Sequence, residues 1–396
     1  MLSKAYIPYK GYFSSPFARW QGTLANENAI VLGADTAKRW MAVRNIDPKQ
    51  FDYHYLGFTI PQHHGFYGAT WSAAMMGMET IPGCTLSQAC STSTTILWES
   101  ALAIENGQCN NVFNLMVDRC SNGAHLVWPN PKGPGGQVEM ENWMMDNFGF
   151  DPNAKNAMIQ TAENVAKESG LTREECDALT LRRYEQYVDA LANDRAFQKR
   201  YMFPIEVQIS KKKSVTLEAD EGVTPSTAEG LAGLRTVLPD GVHTFGAQTH
   251  PADGNCAMIV TDRDRAKKLS ADASMDVQIV SYGFARAKKG FMAAAVVPAC
   301  QMALDRAGIA VKDVKAIKTH NPFAANDLFL SKEMNVDWKT FNNYGSSMIF
   351  GHPQGPTAGR CIIELIEELS ILGGGYGMFG GCAAGDTAAA IVVKMG

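Results

Sequence analysis

The sequence predicts an α/β protein built on a duplicated core, and three observations carry the prediction. Apolar strand-like stretches alternate with segments of helical spacing, in a chain with 46% hydrophobic residues and 36 glycines among 396 residues, a composition suited to dense packing and many tight turns. The pattern near the start returns near residue 300 at one offset: Ile46 and Ile309, Lys49 and Lys312, and Phe51 and Val314 are each 263 residues apart. Both copies also place a helix start at the equivalent point, which indicates an internal duplication. The chain is too long for a single ordinary core, so two or three packed units are expected.

In chain order, Asp35 to Val43 has helical spacing and leads through Asn45–Asp52 into an apolar stretch. After Leu86 come a strand end, a sharp turn and a helix start. Ile96, Leu97, Ala101 and Ile104 recur at helical intervals and Gly107 is the stop, which predicts a helix over Thr92–Asn106 and then a strand over Val112–Val117. The second copy repeats this order with a helix over Cys300–Ala307, a strand over Val314–Ile317, a helix over Pro356–Leu369 and a strand over Tyr376–Gly380. Residues 119–251 break the pattern, with a polar Pro/Gly-rich loop at Trp128–Gly136 followed by helical spacing over Ala154–Glu168 and Arg173–Ala192. The division expected is a first half over 1–118, completed by about 252–272, an inserted loop and cap region over 119–251, and a second half over 273–396. Insertions of this kind commonly shape substrate pockets.

A net charge of −4 argues against a nucleic-acid surface, and the one basic run, Lys211–Lys213, reads as a solvated loop or as a contact to a phosphate-bearing cofactor. The nine cysteines are scattered without a CxxC pair, so neither a zinc site nor a disulfide framework is expected, and a reducing compartment is. The N-terminus lacks an apolar h-region and no run of 18 apolar residues occurs, which points to a cytoplasmic protein without a membrane partner.

Four stretches carry residues suited to chemistry. Cys90, in Gln88-Ala89-Cys90-Ser91-Thr92-Ser93, sits at a helix start, where unpaired N–H groups and the helix dipole favour a thiolate. A buried cysteine acting as a small hydrophobe is the competing reading. His352, in Gly351-His352-Pro353-Gln354-Gly355, lies on a glycine-flanked turn opening a helix, where it can accept a proton or donate to an oxyanion, or simply cap the turn. Cys382 stands in a Gly-rich segment at a strand end, and a packed small residue would account for it as well. His320, in Lys318-Thr319-His320-Asn321-Pro322-Phe323, follows an apolar strand, where open α/β sheets present ligand-contacting groups.

In this order and spacing the four stretches resemble the thiolase family, and the resemblance covers nearly the whole chain. Met158–Ala166 followed by Leu171–Asp177 is similar to the family's cap signature, and Ala252–Ala257 to the segment that returns to the core. The resemblance implies a five-layered α-β-α-β-α core with an inserted cap. It implies an acyltransferase that cleaves a 3-ketoacyl-CoA with CoA, or runs the reverse Claisen condensation, through an acyl-Cys90 intermediate. His352 would activate Cys90, Cys382 would be the second acid/base, and His320 would hold a water. Backbone groups at Ala384 and Gly385 would serve the oxyanion, and Met158, Thr249, His250 and Phe323 would lie along CoA. CoA is then a substrate, and neither a metal nor a permanently bound cofactor is required. A homodimer or dimer of dimers is implied, with a small zinc-ribbon and OB-fold accessory subunit as a further partner in some atypical members.

Departures from the family pattern matter. His320-Asn321-Pro322-Phe323 stands where Asn-Glu-Ala-Phe is usual, Ala384 replaces a glycine, and Ala157, Thr249 and His250 differ near the acyl and pantetheine positions. These changes point to an unusual, bulky, branched or aromatic acyl group. Trp128, Trp143, Met144, Met145, Phe148 and Phe150 are candidates for lining a large apolar pocket. Two other readings stand beside this one. A decarboxylating β-ketoacyl synthase would use Cys90, His320 and His352 and have no need of Cys382. A non-catalytic thiolase-fold subunit would only bind acyl-CoA or a partner.

Overall fold

A computed structural model describes residues 1–396. Its strands run in the spatial order Val314–His320, Gly375–Ala383, Thr387–Met395, Asp276–Arg286, Tyr6–Pro8, Ala252–Thr261, Asn111–Arg119, Tyr53–Gly57 and Gly83–Leu86, with Tyr12–Ser14 and Ala18–Arg19 added on Ala252–Thr261. Tyr6–Pro8 is the seam between two sheets, because Tyr6 pairs with Thr261 on one side and Gln278 on the other. Helices Ala29–Val43 and Gly68–Met75 cover the outer face of the first sheet, and Val296–Ala307 covers that of the second. Thr92–Glu105 and Gly355–Ile371 fill the space between. The five layers expected from the resemblance are present.

The duplication also holds element by element. Shifted by 263, Tyr53–Gly57 falls within Val314–His320, Asn111–Arg119 nearly coincides with Gly375–Ala383, and Thr92–Glu105 starts where Gly355–Ile371 starts. Each copy pairs its first strand with its second in parallel. Several predicted elements start or end elsewhere. The first helix begins at Ala29 because the Asn28 side chain accepts from the N–H groups of Ile30 (3.0 Å) and Val31 (3.3 Å), as an N-cap does. The helix expected from Ala154 begins only at Met158. Asp151 accepts from the N–H groups of Asn153 (2.7 Å) and Ala154 (2.8 Å) and keeps that segment in a turn. The strand expected to end at Gly380 continues to Ala383 and so carries Cys382.

The helix Gly355–Ile371 decides how the halves meet. Every residue from Gly355 to Leu369 is buried, although its sequence includes Arg360, Glu364, Glu367 and Glu368. A helix flanked by a sheet on each side has no solvent face, so its charges need buried partners. Arg360 pairs with Asp220 (2.7 Å) and Glu364 (3.1 Å), Lys318 with Glu364 (2.8 Å), and Arg200 with Glu367 (2.7 Å). Asp220 and Arg200 belong to the segment between Arg119 and Ala252, so these pairs clamp that segment onto the core.

The second sheet meets its outer helix most tightly at Gly283. A Cβ on Gly283 would lie 2.0 Å from the Ala299 carbonyl oxygen and 2.7 Å from the Ala303 nitrogen. Gly283→Ala is therefore expected to destabilise the fold by about 1–3 kcal/mol, read as a lower urea midpoint. An unchanged midpoint would mean that the strand and helix separate at little cost.

Candidate active site

Cys90 lies on the turn between Gly83–Leu86 and Thr92–Glu105. Ser91 N–H donates to the Gln88 carbonyl (3.0 Å), Thr92 N–H to that of Ala89 (3.1 Å), and the Thr92 hydroxyl accepts from Gln88 N–H (2.9 Å). This tight turn holds Ala89 at φ 45°. The corresponding turn of the second copy holds Gln354 at φ 57°, ψ −101°. Non-glycine residues in such conformations cost roughly 1–3 kcal/mol each and tend to mark functional sites.

The two turns open at the same end of the fold. His352 Nε2 is 3.1 Å from Cys90 Sγ, and its Nδ1 is 2.6 Å from Thr357 Oγ1. A proton on Nδ1 donated to Thr357 leaves the Nε2 lone pair facing the thiol, the tautomer a base requires. The start of the helix after His352 is anchored by Asp118, which accepts from the N–H groups of Gly355 (2.8 Å), Thr59 (3.0 Å) and Ile60 (3.0 Å).

His320 is the last residue of its strand. Its ring centroid is 4.0 Å from that of His352, its Nδ1 is 2.8 Å from Ser347 Oγ, and its buried Nε2 has no protein partner. Cys382 lies on the neighbouring parallel strand, one residue beyond the partner of His320 in register, and its sulfur accepts from Asn326 Nδ2 at 3.2 Å. Cys90 Sγ and one ring nitrogen each of His320 and His352 lie within 4.8 Å of one another. These three atoms are also the donor types that zinc takes.

Enclosure sets the electrostatics. Burial pushes the Cys90 thiol up to about 12, outweighing the backbone N–H groups of Ala384 and of Cys90 itself, which act the other way. Burial pulls His320 down to about 3, and burial followed by the neighbouring His320 pulls His352 well below its ordinary value. Burial, then the nearby Cys90, raises Cys382. The thiolate expected from the helix start is thus overridden by desolvation, and the resting groups are a neutral thiol beside a neutral imidazole. The donors aimed at the sulfur then serve charge that develops during reaction.

Cys90, His352, Gln354 and Ala384 face a cleft of about 290 Å³, together with Phe148, Met158, Ile159, Met292 and Phe323. No charged side chain lines it. Family models named "Thiolase, N-terminal domain" and "Thiolase, C-terminal domain" match residues 13–264 and 273–395. The chain belongs to the thiolase family. It is an acyltransferase, with coenzyme A as a substrate and no permanently bound cofactor. It is 26% identical to the mitochondrial 3-ketoacyl-CoA thiolase of Homo sapiens over 386 residues, 96% of each chain. It is 28% identical to the acetyl-CoA acetyltransferase of Escherichia coli (strain K12) over 386 residues, 95% of each. The human thiolase crystal structure superposes with a TM-score of 0.90 at 25% identity, covering 99% of both chains, and has also been solved with CoA. The Bacillus anthracis acetyl-CoA acetyltransferase superposes at 0.91 and 25% identity, over 100% of this chain and 99% of that one.

Within this thiolase most of the expected residues converge and some do not. Met158, Thr249 and Phe323 reach the cleft, but His250 does not. Its ring nitrogens lie 3.3 Å from the carbonyl oxygens of Pro251 and Ile349, and it occupies the space beside Gly351 that a Cβ there would fill. Gly385 is also outside the cleft, at φ 82° with its carbonyl accepting from Arg286 (3.2 Å), so the turn presents Ala384 alone. Of the aromatic and Met residues expected around a large pocket, only Phe148 lines the cleft. Trp128, Met145 and Phe150 are exposed, Met144 packs on Ile60 and Cys120, and Trp143 donates to the Thr59 carbonyl (2.9 Å). Lys211–Lys213 turn an exposed hairpin and line no part of the cleft. Thr357, Ser347, Asn326 and Asp118 went unassigned in the sequence. Thr357 alone carried a local signal, standing on the first turn of the helix that His352 opens.

Proposed function

We propose that this thiolase cleaves a 3-ketoacyl-CoA carrying a bulky, apolar acyl group, with CoA as the attacking thiol, or runs the reverse condensation. The observation that carries the mechanism is the convergence of Cys90, His352 and His320 from three separate segments, with Cys382 one residue beyond the register partner of His320. Cys90 Sγ attacks the keto carbon as its proton passes to His352 Nε2, a transfer the 3.1 Å separation allows. Cleavage of the bond between C2 and C3 leaves the acyl group on Cys90, and the departing enolate takes the Cys382 proton. Cys382 then deprotonates CoA, whose sulfur takes the acyl group and frees Cys90. The N–H groups of Cys90 and Ala384 serve the first oxyanion; His352 and a water on the free Nε2 of His320 serve the second. Met158, Thr249 and Phe323 are assigned to the pantetheine and acyl path.

The absence of charge along the cleft and the contribution of Phe148, Met158, Ile159 and Met292 favour a hydrocarbon acyl group. Gly83–Leu86 pairs on one side only, which supports a homodimer joined at that edge. No helix is long and apolar enough to cross a membrane.

CoA-dependent thiolysis across a panel of linear, branched and aromatic 3-ketoacyl-CoAs, followed as release of the shortened acyl-CoA, tests the assignment. Bulky members are expected to give higher kcat/KM than acetoacetyl-CoA. A preference for acetoacetyl-CoA would reject the bulky-substrate reading. Decarboxylation of malonyl-CoA without any thiolysis would instead favour a ketoacyl synthase built on Cys90, His320 and His352.

A further inference from the structure

Three electron-pair donors and a single mobile proton stand together beside the cleft. The Ser347 hydroxyl donates to Asn321 Oδ1 (3.2 Å), so its oxygen accepts from His320 Nδ1–H at 2.8 Å. That fixes the tautomer of His320 and leaves its Nε2 with a lone pair and no protein partner, in a side chain that is 0% exposed. His352 is held in the same tautomer by Thr357 (2.6 Å), and its Nε2 lies 3.1 Å from Cys90 Sγ. The sulfur and one nitrogen of each ring lie within 4.8 Å of one another. Because both Nδ1 atoms are engaged, Nε2 is what each ring has left to offer.

The thiol proton can serve only one of the two imidazoles at a time. A buried nitrogen left without a partner is costly, whereas a cation satisfies all three atoms at once. Two imidazole nitrogens and a thiolate, with an open fourth position, form a donor set that zinc takes at about 2.0–2.1 Å (nitrogen) and 2.3 Å (sulfur). Tetrahedral ligands at those lengths stand roughly 3.3–3.7 Å apart, so the 3.1 Å contact between Cys90 and His352 needs to open by only about 0.5 Å. The outer nitrogen of each ring already donates to a hydroxyl, the support that orients metal-binding imidazoles. Cys90 and His352 both line the cleft, which supplies the entry path. No CxxC pair announces such a site, since its ligands come from three separate segments.

We propose that Cys90, His320 and His352 form a reversible, inhibitory zinc site, the metal held by Cys90 Sγ and by Nε2 of both histidines. Binding exchanges the thiol proton, which leaves to solvent, for an S–Zn bond, with no change of oxidation state. The sulfur and the His352 lone pair are then both occupied, so Cys90 cannot attack a carbonyl carbon and the metal-bound protein is inactive. The inference goes beyond the thiolase reading, because the metal takes no part in the reaction and its binding needs only these three side chains.

Titration of the chelator-stripped protein with Zn²⁺ against a chromophoric zinc indicator decides the proposal, with Tm and iodoacetamide alkylation of Cys90, read by peptide mass, followed alongside. One Zn²⁺ per chain is expected at a Kd of about 10 μM or tighter, with Cys90 alkylation and thiolysis both suppressed until EDTA is added. Co²⁺ in place of Zn²⁺ is expected to give a sulfur-to-metal charge-transfer absorption that Cys90→Ala lacks. His320→Asn is expected to weaken Zn²⁺ binding at least about 10²-fold, the upper end of the loss when merely a group behind a ligand is removed. Should His320→Asn fail to fold, Ser347→Ala, which removes the hydroxyl holding His320, is expected to bind Zn²⁺ about 10- to 100-fold more weakly. The proposal is overturned if Zn²⁺ binds more weakly than about 10 μM, or if saturating Zn²⁺ leaves Cys90 alkylated at the metal-free rate. It is equally overturned if folded His320→Asn, or Ser347→Ala in its place, binds Zn²⁺ as tightly as wild type. The binding and alkylation readouts need no turnover, so failure of the thiolase mechanism shows separately, as thiolysis by Cys90→Ala.

Discussion

Replacing Cys90 with alanine is expected to lower turnover by on the order of 10⁴- to 10⁶-fold, the range seen when a covalent nucleophile is removed, and to abolish the acyl adduct in intact-protein mass spectra. The fold should survive, because the sulfur meets the His352 and Gln354 side chains and the N–H groups of Ala384 and of Cys90 itself at the cleft rather than in the hydrophobic core. The chemistry of the resting site supplies a second readout. Burial raises the thiol to about 12 and lowers His352, so at neutral pH the pair is uncharged. Alkylation of wild-type Cys90 by iodoacetamide without substrate should therefore be slow near pH 7 and climb steadily into the alkaline range. A plateau of reactivity beginning near pH 7 would mean a preformed thiolate–imidazolium pair. Full thiolysis by Cys90→Ala would sink the mechanism.

Cys382→Ala is the second large effect. Thiolysis should fall about 10²- to 10⁴-fold, the usual contribution of a positioned acid/base, while Cys90 remains open to alkylation and to partial acylation. The two activities separate because Cys382 gives its proton to the enolate and then takes one from the incoming CoA, whereas the first proton transfer uses His352. The substitution also strips Asn326 Nδ2 of its 3.2 Å partner in a fully buried position, which costs roughly 1–3 kcal/mol. Tm must therefore be measured with the rates, and Cys382→Ser, which restores an acceptor for Asn326, is the control. Normal thiolysis by a folded Cys382→Ala would remove this residue from the mechanism.

Local context marked the candidate residues, and their roles came only from the resemblance of the four stretches, taken together, to the thiolase family. Cys90 and His352 occupy turns that open helices, and His320 and Cys382 occupy strand ends, so helical and strand periodicities locate them without any knowledge of contacts. The supporting groups have no such context. Ser347 and Asn326 are single polar letters whose meaning depends on reaching His320 and Cys382, and Asp118 matters because three backbone N–H groups from two other segments meet it. Of the expected pairs Thr249–His250 and Ala384–Gly385, one member each lines the cleft. Adjacent backbone positions point in different directions, and only the turn geometry says that Thr249 and Ala384 face the cleft.

The repeated order of strands and helices, the 263-residue offset and the placing of Cys90 and His352 at equivalent helix starts are written in the chain itself. Those features are encoded between neighbours, in periodicity, caps and turn residues. Tertiary structure alone decided that residues 262 apart stand 3.1 Å from each other, and that Gln354 joins them. Both follow from packing two sheets around the buried helix Gly355–Ile371. The protonation state was decided there too. A helix start by itself favours a thiolate, but the packing around the two turns desolvates the sulfur and raises the thiol.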